Sequence, residues 1–130
     1  MTDGVVGSEA AGAAGATIEA AQLRGLAEAA GKETVMPILD AFWASNDELL
    51  AALEAALSSG DADAISKTGH ALKGSASNLG ATSLADAAKT VEMAGKAGDV
   101  ETAREAAVRL PGEIEGTKTA FGQLMDSIAA

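Results

Sequence analysis

The 130-residue chain contains one histidine, His70, within the run GHALKGSASNLG from Gly69 to Gly80. On a helix advancing about 100° per residue, Ser66, Lys67, Lys73, Gly74 and Ser77 fall within about 60° of His70. Ile65, Thr68, Leu72, Ala76 and Leu79 gather between about 160° and 240° away. The apolar group must face a core, so the imidazole is predicted to face water, with Lys73 on one side and the absent side chain of Gly74 on the other. Neutral imidazole, ordinarily titrating near pH 6.5, is a good nucleophile around neutrality. One ring nitrogen can take a phosphoryl group while a hydrogen bond to the other fixes tautomer and orientation. A lysine one turn away can offset the charge of the phosphoryl oxygens. A glycine in mid-helix costs up to about 1 kcal/mol relative to alanine, so an outward one predicts that another molecule approaches the backbone there. Lys67 and Ser77 lie on the same landing face. A merely solvated histidine and lysine are the plainer reading of the same residues.

Between Asp63 and Asp86 the chain has two lysines and no acid, although its net charge is −10. The histidine segment is therefore expected to form a basic window in an acidic molecule, suited to an anionic group. The overall charge argues against nucleic acid or an anionic membrane surface as the main partner. The absence of cysteine removes disulfides and thiolate catalysis, and with a single histidine it leaves no ordinary transition-metal set. No Walker or Rossmann glycine pattern is present, so whatever catalyses a transfer to His70 must come with the partner. No apolar run approaches the roughly 20 residues of a membrane span, and the first residues lack the pattern of a signal peptide. A cytoplasmic protein is expected.

The elements that position these residues read as helices throughout. Residues 1–16 are Ala/Gly-rich and are expected to form a flexible tail, with one domain over residues 17–130. A first helix is predicted from a cap at Thr17 to Gly31. A second starts near Glu33, with Pro37 in its first turn or at a kink, and buries Ile38, Phe42, Leu49, Leu50, Leu53 and Leu57. The third runs from about Asp61 to Leu79. The fourth starts from a cap at Thr82 or Ser83 and ends near Ala97, where Gly98 and Asp99 stop it and cap the next. The last carries Ala103, Ala107, Leu110, Ile114, Thr117, Phe121, Leu124 and Ile128, with Pro111 and Gly112 expected to kink or break it. Short breaks between long amphipathic segments predict an all-α fold, an antiparallel up-down four-helix bundle with an additional short N-terminal helix.

The run HALKGSASNLGATSLADAAKTVEMAGKAGD resembles the signature of histidine-containing phosphotransfer (HPt) domains, and ILDAFWASNDELLAALEAALSSGD resembles the helix that precedes it. The likeness covers roughly residues 23–110. It implies that His70 is the phosphoacceptor, through its outer nitrogen, that Lys73 steadies the phosphoryl group, and that Gly74 admits the partner. Glu92 matches the position of a residue, commonly glutamine, that bonds the inner ring nitrogen in such domains; a solvated helix-face acid is the other reading of it. The resemblance further implies a phosphorelay intermediate, not an enzyme with kinase activity of its own. It would take its phosphoryl group from the aspartyl-phosphate of one response-regulator receiver domain and pass it to the aspartate of another. Receiver domains and a hybrid histidine kinase are the implied partners, a monomer the implied state. No cofactor of its own is implied, Mg²⁺ being expected in the receiver. Two alternatives stay open: a pseudo-HPt module that binds receivers without chemistry, and the phosphotransfer portion of a sensor kinase, which would need an ATP-binding domain.

Overall fold

A computed structural model describes residues 18–128, so Thr17 and the expected tail lie outside the described residues. Among these, the chain forms α1 (Ala21–Ala30), α2 (Lys32–Ser59), α3 (Ala62–Leu79), α4 (Thr82–Lys96), α5 (Val100–Ala107) and α6 (Leu110–Ser127), with no strand. α2, α3, α4 and the interrupted pair α5/α6 make the four-helix bundle, and α1 is the additional N-terminal helix. α3 packs most extensively against α4.

The helix ends follow local chemistry. Gly60 and Gly80 close α2 and α3 in the left-handed conformation that glycine adopts without a Cβ penalty. Asp61 and Asp99 open α3 and α5, each accepting a hydrogen bond at Oδ1 from the backbone three residues on, Ala64 N and Thr102 N, both at 3.1 Å. The cap of α4 differs from expectation: Ala81 occupies the position, and Thr82 already lies inside the helix. Ala81 is fully buried, so its methyl contributes packing where a polar cap would meet no water.

Pro37 sits in the second turn of α2, within the helix, and faces solvent. Pro111 lies in the first turn of α6, where its missing N–H is no loss. Its ring cannot continue the ladder to Ala107, and the residues before it tighten accordingly. Val108 N donates to Glu105 O at 3.4 Å and Arg109 N to Ala106 O at 3.3 Å, while both residues keep right-handed helical dihedrals. The last helix is therefore interrupted rather than turned.

The core is built from Val35, Leu39, Phe42, Leu53, Ile65, Leu72, Leu84, Val91, Leu110, Ile114, Phe121 and Leu124. Leu49, Leu50 and Leu57 only flank it. Ile38, expected inside, is exposed. Val35 and Leu39 carry the first turns of α2 into the core, while Ile38 between them lines an open groove of about 730 Å³ with Leu26 of α1, Leu79 of α3 and Ala85 of α4. The residues leading into α1 are pinned across that turn, where Glu19 N donates to Gly80 O at 2.6 Å.

Candidate functional site

His70 lies midway along α3, opposite Ile65, Leu72 and Ala76, which are fully buried. Its side chain is 69% exposed. The contrast follows from the helical period: the apolar stripe takes α3 into the core and turns the other face to water.

Below the ring sits Glu92 of α4, whose side chain is only 1% exposed. His70 Nδ1 is 2.9 Å from Glu92 Oε2. Lys73 Nζ is 2.7 Å from Oε1 of the same carboxylate, and Lys96 Nζ is 3.5 Å from Oε2. The Lys73 contact holds Glu92 well below the ordinary 4.5, at about 2; burial opposes this, while the His70 hydrogen bond and the charges of Lys73 and Lys96 reinforce it. An ionised carboxylate only accepts hydrogen bonds, so the Nδ1 that meets it carries the proton. The lone pair then resides on Nε2, on a ring open to solvent, which is the nucleophilic tautomer.

The carboxyl of Glu92 titrates lower in the folded chain than in the unfolded one, so the unfolded chain binds the proton first. The resulting stability is complete above about pH 4.5 and is lost as pH falls towards 2. Glu92→Gln is expected to lower stability at pH 6 by on the order of 1–2 kcal/mol, after discounting for partly exposed lysine partners, and to flatten the loss of stability between pH 5 and 3. Urea unfolding at pH 6, 5, 4 and 3 measures both. Parallel pH profiles for the two proteins would detach Glu92 from the ion pairs.

The remaining candidate residues divide. A Cβ built at Gly74 meets no atom within 4 Å, so the space beside the ring is open. Ser77 is exposed on the same face and also lines the groove beside α1. Lys67 is exposed but pairs with Asp63 at 3.0 Å, one turn back. This corrects the expected basic window: Lys67 answers Asp63 and Lys73 answers Glu92, so neither lysine stands as free positive charge. The local excess comes from Lys96, which sequence reasoning passed over. Its signal was its i,i+4 spacing from Glu92, which places both on one face of α4.

Comparison with known proteins finds a family and a similar fold. A family model described as the Hpt domain matches residues 37–120. Among solved structures, the chain is similar to histidine-containing phosphotransfer protein B (HptB) from Pseudomonas aeruginosa PAO1, with 28% identity and a TM-score of 0.71, over 84% of this chain and 95% of that one. No curated protein sequence matches the chain.

Proposed function

The chain belongs to the Hpt domain family, and from that premise we propose that it is a phosphorelay intermediate in which His70 Nε2 takes a phosphoryl group from a receiver-domain aspartyl-phosphate and passes it to the aspartate of another receiver. The observation that carries this reading is the exposed imidazole whose Nδ1 is held by a buried carboxylate, 2.9 Å away.

In the forward step the Nε2 lone pair attacks phosphorus as the bond from phosphorus to the aspartyl oxygen breaks, and the aspartate departs as a carboxylate. The ring becomes a phosphoimidazolium whose Nδ1 proton stays on the hydrogen bond to Glu92. In the return step the P–N bond electrons go back to Nε2, and the ring leaves as the neutral Nδ1–H tautomer. No proton needs to be shuttled in either direction. The phosphoryl group adds negative charge beside Glu92, and Lys73 and Lys96 are the cations placed to offset it. Mg²⁺ belongs to the receiver, and the chain acts as a carrier without kinase activity of its own. A hybrid histidine kinase stands upstream as the source of the phosphoryl group.

Incubation with a phosphorylated receiver tests the reading. Acid-labile, base-stable label should appear on this chain and disappear when an unphosphorylated second receiver is added. Binding of the receiver without any label would favour the pseudo-HPt alternative.

Gly74 supplies a separate prediction. Gly74→Gln adds a side chain into open space, so helix content and melting temperature should hold or rise slightly, the change removing a mid-helix glycine. The same side chain stands where a receiver must approach, and transfer is expected to slow by about tenfold or more, the scale of losses from misplacing reacting groups. Transfer time courses at matched receiver concentration measure this, and an unchanged rate would remove Gly74 from the docking surface.

A further inference from the structure

We propose that Gly69 is a positioning residue: by letting the backbones of α3 and α4 meet at the level of Glu92, it sets the reach of the Glu92 carboxylate to His70 Nδ1 and with it the tautomer of the ring. The inference rests on the phosphotransfer reading of His70.

A Cβ at Gly69 would lie 2.9 Å from Glu92 N and 3.0 Å from Glu92 Cα. Both are backbone atoms, so relief requires moving α4 itself and not merely rotating a side chain. On the opposing helix Gly95 reciprocates, its Cβ falling 2.7 Å from Ser66 N and 3.0 Å from Ala62 O. The two helices thus touch through backbone at two levels, one at Glu92 itself and one about a turn away beside Lys96. Gly69, in the middle of α3, costs up to about 1 kcal/mol relative to alanine. Gly69 also immediately precedes His70, so any shift of α3 at this point carries the imidazole with it. The carboxylate sits under the ring with almost no solvent exposure, and its fixed length reaches Nδ1 only while the backbones stay close.

Gly69→Ala should fold yet separate the helices locally. Because His70 is the only histidine, ¹⁵N-imidazole labelling gives one pair of ring nitrogens, readable without any receiver. In the wild type Nδ1 should be the protonated nitrogen, with a downfield, hydrogen-bonded proton. In Gly69→Ala that proton signal should be lost, the ring should shift towards the Nε2–H form, and transfer from a phosphorylated receiver should slow by roughly tenfold or more. Leu124→Ala, which weakens the core on α6, should lower the melting temperature while leaving ring signals and transfer by the folded protein unchanged; a merely structural role for Gly69 would look the same. A wild-type tautomer and rate in Gly69→Ala would overturn the proposal. Should that variant not fold, Gly95→Ala opens the same seam from the side of α4, and unaltered ring signals there would overturn it equally. Failure of the wild type to accept phosphate would instead refute the reading of His70 while leaving the ring measurements interpretable.

Discussion

His70→Gln should acquire no acid-labile phosphate from a phosphorylated receiver, a loss complete to the background of the assay, while its fold persists. The substituted side chain is exposed, and surface changes of this kind usually alter stability by no more than about 0.5 kcal/mol. Glu92 would lose one of its three partners but keep Lys73 and Lys96. The expected pattern is therefore an unlabelled protein with a melting curve close to wild type. Gel autoradiography after incubation, with circular dichroism on the same samples, gives both results. Equal labelling of the two proteins would remove His70 from the chemistry, and an unfolded variant would mean that the ring is a structural group.

The second large effect is on stability. Gly80→Ala is expected to cost about 2–4 kcal/mol, which for a domain of this size corresponds to a fall of roughly 10 °C in melting temperature. Gly80 has φ +86°, a conformation that costs an L-residue about 1–2 kcal/mol. A Cβ there would also overlap the carbonyl oxygen of Glu19, whose amide donates to Gly80 O. Relief would lift the segment leading into α1 and expose Ile18 and Ala20, both buried, which adds an apolar-area term of a kcal/mol or more. Thermal unfolding followed by circular dichroism measures the difference. A change below about 2 °C would mean that the segment before α1 does not depend on this turn for its place.

The histidine face was legible in the sequence because helical period alone separates it from Ile65, Leu72 and Ala76. The bundle was equally legible, since Gly60, Gly80 and the Gly98–Asp99 pair stop one helix and start the next. Other features depend on which helices become neighbours, which periodicity does not encode. Ile38 belongs to the apolar stripe of α2 by phase, yet it faces an open groove between α1 and the ends of α3 and α4 that leaves it exposed. The charge of the site was misread for the same reason: a count along α3 cannot include Glu92 and Lys96, which arrive from α4. Gly69 is silent in sequence because the backbone it admits is 23 residues away. Pro111 marked the interruption of the last helix, but the tightened turn falls at Val108 and Arg109, before the proline, because the unsatisfied carbonyl lies four residues back.

In the proposed relay the phosphoryl group resides on the outer nitrogen of His70 while the inner one stays protonated against Glu92. ¹⁵N and ³¹P NMR of the phosphorylated, ¹⁵N-histidine-labelled protein tests it most directly. A phosphorus–nitrogen coupling at Nε2, together with a protonated Nδ1, is the predicted result. A coupling at Nδ1, or phosphate with no coupling to either ring nitrogen, would contradict it.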